Sequence, residues 1–73
     1  MAQFRVIRVL EKTFEAQKEK ALLTLELLTE HPAGIGDHST TDFYNNAEEA
    51  IRALAEADDV LGTIKRHFSR YER

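Results

Sequence analysis

The side chains with the most chemical potential sit in one stretch, His31-Pro32-Ala33-Gly34-Ile35-Gly36-Asp37-His38-Ser39, near the middle of a 73-residue chain. Gly34 and Gly36 lie just before the expected start of a helix, where backbone N–H groups could face an anion and Ser39 could add its hydroxyl. The stretch lacks the Gly-Lys-Ser/Thr of a phosphate-binding P-loop, so these residues have a simpler role as a shaped turn. Pro32 stops one helix, the glycines supply positive φ, and Asp37 or Ser39 caps the next. His31, Asp37 and His38, with Glu30 and Asp42 close by, carry metal-ligating atoms, but no helical i, i+4 spacing fixes them as a ligand set. No metal and no other cofactor is expected. Ile35, an apolar side chain at the apparent tip, is expected to fold back over the helix ends or to pack on another subunit. With Asp37, His38 and Tyr44, in the first turns of the following helix, it forms the candidate partner-binding surface.

Catalysis finds little support in the remaining residues. Glu56-Ala57-Asp58-Asp59 has an E-x-x-D spacing that resembles one half of the magnesium-binding pattern of all-α nucleotide pyrophosphatases. That family also needs an E-x-x-E on an earlier helix. Here the acidic pairs Glu11/Glu15, Glu15/Glu19 and Glu26/Glu30 stand at i, i+4 instead, which leaves the cage incomplete. No Ser, His and acid are spaced to suggest a nucleophile with its base, and there is no Cys. The chain reads as a non-enzyme.

Composition narrows the class further. A net charge of −3 speaks against general nucleic-acid binding, which needs a broad basic surface. No apolar run exceeds three residues, so no segment is expected to span a bilayer, and Met1–Arg5 does not have the form of a signal peptide. The absence of cysteine suits a reducing cytoplasm and removes any disulfide framework.

The elements that must position these residues follow from periodicity. Pro32, Gly34 and Gly36 divide the chain, and the spacing predicts one helix over about 3–29, a loop over about 30–40 and a second helix over about 41–71. In the second, Ala47, Ala50, Leu54, Ala57, Leu61, Ile64, Phe68 and Tyr71 alternate at intervals of three and four, an unbroken heptad seam. Ser39-Thr40-Thr41-Asp42 has capping-box spacing at its start, with Thr41 as an alternative cap. Gly62 lies inside the seam's helix and is read as a close-approach or tolerated position. In the first helix, Ile7, Leu10, Phe14, Ala21, Leu25 and Leu28 form the main stripe, interrupted by Gln17 and Lys18. Phe4–Leu10 is rich in β-branched residues but has no second strand to pair with, so it is taken as helix. His67 is a flank residue.

The expected fold is all-α, an antiparallel two-helix hairpin in which the alanines of the second seam face the leucines of the first helix. Ala21–Leu28 is apolar almost all round, and one stripe suffices for one partner helix. Leu22, Leu23 and Leu27, with Val60 on the second helix, are therefore assigned to an oligomer interface. Hairpins of this kind commonly pair into four-helix bundles, so a homodimer or higher oligomer is expected. The antiparallel arrangement also segregates charge. Residues 1–12 and 62–73 sum to +5 and the rest to −8. The simplest account is that each helix complements its own dipole. A basic end that touches phosphate or an acidic protein, or opposite ends that attract in an antiparallel dimer, are the functional alternatives.

The run Lys18–Leu28 followed by His31–Ser39 resembles small proteins of T4-like tailed phages, including cyanophages, in which a Gly-x-Gly-Asp-His-Ser loop joins two helices. The likeness spans about residues 11–68 and rests on the loop. It implies a helical hairpin made in an infected bacterial cytoplasm, and it brings no activity and no functional residues. The function expected is that of an oligomeric protein-binding module, an adaptor or an inhibitor. The alternative is a helical oligomer that binds a nucleotide or phosphate through Gly34–Ser39 or the basic end.

Overall fold

Thr13, Thr24, Thr29 and Thr63 would ordinarily weaken a helix interior, because their hydroxyls compete for backbone partners. Here each hydroxyl donates to the carbonyl four residues earlier, at 2.7–2.9 Å, so the competition is resolved inside the helix. The computed structural model, which describes residues 2–30 and 40–69, accordingly shows two long helices and, among those residues, no strand. Helix α1 runs over Ala2–Glu30 and α2 over Thr40–Phe68. The β-branched segment at the start of α1 is helical, as expected of a strand candidate without a mate. Helix α2 begins one residue before the expected start and is recorded to Phe68, three residues short of the expected end. Gly34, Ile35, Gly36, Asp37, His38, Ser39 and Tyr71 lie outside the described residues.

The two helices form an antiparallel hairpin. Each is about 43 Å long at 1.5 Å per residue, and together they make a rod of 50 × 16 × 14 Å. Its Cα radius of gyration, 15.9 Å, compares with about 11 Å for a compact domain of this length. Two cylinders touch along one line, and only small side chains can be wholly covered there. Ala21, Leu28, Ala50, Ala57 and Ile64 form the core, with Ala57 completely inaccessible, and among the described residues no large side chain is fully enclosed. Ile7, Phe14, Leu25, Ala47, Leu54 and Leu61 flank that line and are half-buried. Leu10 and Phe68 belong to the expected stripes, yet they stay exposed.

Gln17 and Lys18, which interrupt the α1 stripe, turn out to join the helices. The Gln17 amide donates from Nε2 both to the Ala53 carbonyl oxygen, at 2.9 Å, and to Glu56 Oε1, at 2.8 Å. Lys18 Nζ lies 3.4 Å from Asp58 Oδ1. These contacts fix the register in a place where alanines leave the packing smooth. Truncating Gln17 to alanine is expected to cost about 1–2 kcal/mol by urea titration, the worth of two hydrogen bonds of which one is charge-assisted. Leucine at that position should cost less, because apolar burial offsets part of the loss.

Gly62 is accommodated without a break in α2. An added Cβ would meet only the Arg66 guanidinium, at 3.2 Å, and that group is the far end of a flexible side chain. Gly62→Ala is therefore expected to stabilise the chain by about 0.5–1 kcal/mol, the helix-propensity difference. The thermal midpoint should rise by a few degrees.

The charge account needs one correction. Helix α2 carries Asp42 in its first turn and Lys65, Arg66 and His67 in its last, as its dipole favours. Helix α1 does the opposite of complementing its dipole. It has no acid in its first turn and no base in its last, and instead carries Arg5 and Arg8 early and Glu26 and Glu30 late. Each helix complementing its own dipole therefore explains the basic end of α2 and not that of α1.

Candidate functional site

The described surface that stands out is apolar. On α1, Val6, Val9, Leu22, Leu23 and Leu27 are 41–58% exposed, and on α2 Ile51 and Tyr44 are 53% and 68% exposed. The hairpin gives Ala21–Leu28 a single partner, which covers Ala21 and Leu28 and half-covers Leu25. Leu22, Leu23 and Leu27, three of the residues assigned to an interface, are thus left open to solvent. Val60, the fourth, is half-buried within the hairpin. Tyr44 is the one partner-binding candidate among the described residues, and its exposure leaves the ring free to meet a partner.

Heptad position relates the open side chains. Val6, Val9, Thr13, Ala16, Lys20, Leu23 and Leu27 follow one another at alternating intervals of three and four, so they line one exposed strip of α1. Thr13 fits such a strip because its hydroxyl is already spent on the Val9 carbonyl, at 2.8 Å. This second seam is legible in the spacing. Beside it lies a shallow depression whose floor includes Leu22, Leu23 and Leu25 and whose rim includes Glu19, Glu26 and Glu30.

Between the helices runs a groove of about 400 Å³, where Ala21, Ala50 and Ala53 are too small to fill the space between Leu28 and Gln17. Lys20 and Glu49 stand at its margin. Two acids of the run on α2 are engaged across the hairpin: Glu56 accepts from Gln17 and Asp58 pairs with Lys18. Among the described residues no group of His, Asp or Glu is placed to hold a metal ion. His67 is an exposed flank residue. No described helix is long and apolar enough to cross a membrane.

Compared with models of protein families, with curated proteins and with solved structures, the chain matches none. Its fold is an all-α helical hairpin.

Proposed function

We propose that this chain is a non-enzymatic, homo-oligomeric helical module that binds another protein, as an adaptor or an inhibitor. The observation that carries the reading is the row of open valines and leucines on α1. Among the described residues no large side chain is wholly enclosed, and a hairpin of that kind gains further stability by sharing such a row with another copy. Glu56 and Asp58 of the acidic run are tied to Gln17 and Lys18 across the hairpin. A protein partner would then meet Tyr44, exposed in the hairpin, and the loop candidates Ile35, Asp37 and His38, which lie outside the described residues. The cysteine-free composition and the loop's resemblance to small phage proteins support a place of action in the cytoplasm, that of an infected host if the chain is phage-encoded.

Arg5, Arg8, Lys65 and Arg66 at one end of the rod favour a second reading, a nucleotide- or phosphate-binding oligomer. A thermal-shift series with inorganic phosphate, nucleoside mono-, di- and triphosphates and divalent cations separates the two. The protein-binding reading expects no change in midpoint with any of them. A midpoint that climbs with ligand concentration would replace it by the second. Ile35→Ala and Asp37→Ala should leave helicity and thermal midpoint unchanged if the loop is a contact surface. Loss of folding in either variant would make the loop structural.

A further inference from the structure

We infer that the partner copy docks antiparallel along the α1 seam, so that the basic-flanked half of one α1 covers the acid-rimmed leucine half of the other. The inference rests on the oligomeric reading above and gives it a face, a direction and a register.

Area comes first. The chain exposes 5861 Å², whereas a compact monomer of its mass would expose about 4,600 Å². The excess, roughly 1,200 Å², is larger than the ~800 Å² that each partner contributes to a standard interface. Four of the nine exposed large hydrophobic side chains among the described residues, Val6, Val9, Leu23 and Leu27, lie on the α1 seam.

Direction follows from charge. In heptad terms one row flanks the seam, at Arg5, Lys12, Glu19 and Glu26, all exposed. It is basic in its first half and acidic in its second. When two such helices run antiparallel, residues of this row face their counterparts on the other copy. Arg5 then lies opposite the partner's Glu26, and Lys12 opposite the partner's Glu19, each pair occurring twice by symmetry. The same register sets Val6 against the partner's Leu23 and Thr13 against the partner's Ala16. Lys12 also has a neighbour on its own helix, Glu15 at 3.5 Å, so it stands between two carboxylates in the dimer. A parallel pairing would instead stack basic end on basic end.

The same pattern accounts for α1 opposing its own dipole. In the hairpin the two helix dipoles run in opposite directions and largely cancel at each end. The side-chain charges of the described residues are not cancelled: residues 2–12 and 62–69 carry five bases against Glu11, while residues 13–30 and 40–61 carry three bases against ten acids. A second copy turned end for end sets the +4 of one half against the −7 of the other at both ends of the rod.

The chain has no cysteine, which makes cross-linking decisive. Val6→Cys and Leu23→Cys are prepared as separate proteins, and each is oxidised alone and as a mixture after exchange of subunits. The expected result is a disulfide-linked heterodimer in the mixture and none with either protein alone, since like residues would lie about 25 Å apart. Cross-linking of Val6→Cys with itself would overturn the direction. A sedimenting dimer that cross-links in no combination would overturn the face while leaving the oligomeric reading intact. A monomer at every concentration would overturn both. As a second measurement, Glu19→Lys with Glu26→Lys should raise the dimer dissociation constant about tenfold or more at low salt. Adding Arg5→Glu and Lys12→Glu to the same chain should restore it, and a failure of that rescue would also contradict the pairing.

Discussion

Replacing Ala57 by leucine is expected to lower the thermal midpoint by about 5–20 °C. Ala57 has no accessible surface at all, so three added carbons can be housed only by pushing the helices apart. Overpacking of this kind costs about 1–3 kcal/mol, and each kcal/mol moves the midpoint of a domain this small by about 4–8 °C. The loss propagates because the seam is continuous: separating the helices at Ala57 also lengthens the contacts from Gln17 to Ala53 and Glu56. Leucine at Ala55, two residues away on the exposed side of α2, is the matched control and should change the midpoint little. Circular dichroism melts of the two variants beside the parent chain decide it. Equal midpoints would mean that the helices are not held in contact at Ala57.

Exchanging both Leu23 and Leu27 for lysine is expected to abolish self-association at micromolar concentration while leaving each chain helical. The two leucines are 55% and 50% exposed in the isolated hairpin, so the change removes little intrachain packing and lysine is an adequate helix former. In the dimer four leucines are lost, two from each chain. At about 1 kcal/mol for completing the burial of each, the dissociation constant should rise about a thousandfold. The new ammonium groups would also face the partner's basic half. Sedimentation velocity with a parallel measurement of helicity checks both parts of this expectation. A variant that associates as tightly as the parent would show that the α1 seam is not the contact.

Periodicity carried most of the fold. The three-and-four spacing of Ala47 to Phe68 marked α2, and its most buried members, Ala50, Ala57 and Ile64, all lie on that seam. Ala21 and Leu28 are likewise buried on the stripe expected for α1. Gln17 and Lys18 were legible only as interruptions, because a count of apolar positions on one helix holds no information about what a polar side chain meets on another. Their partners depend on the register between helices, a property of the pair. The reversed charges of α1 were present in the sequence but hidden by summing over both helices. Taken alone, α1 runs against its dipole, and that conflict singles it out. The loop residues proposed for binding, Gly34 to Ser39, lie outside the described structure, so their role rests on their chemistry and on the loop variants above.

Sedimentation equilibrium of the unaltered chain across the micromolar range, at low and at high salt, decides whether the hairpin shares its core with a second copy. The shared-core account predicts a folded dimer that dissociates on dilution and whose dissociation constant rises with ionic strength, as interchain charge pairs are screened. A fully helical monomer at every concentration, at either salt, would contradict it.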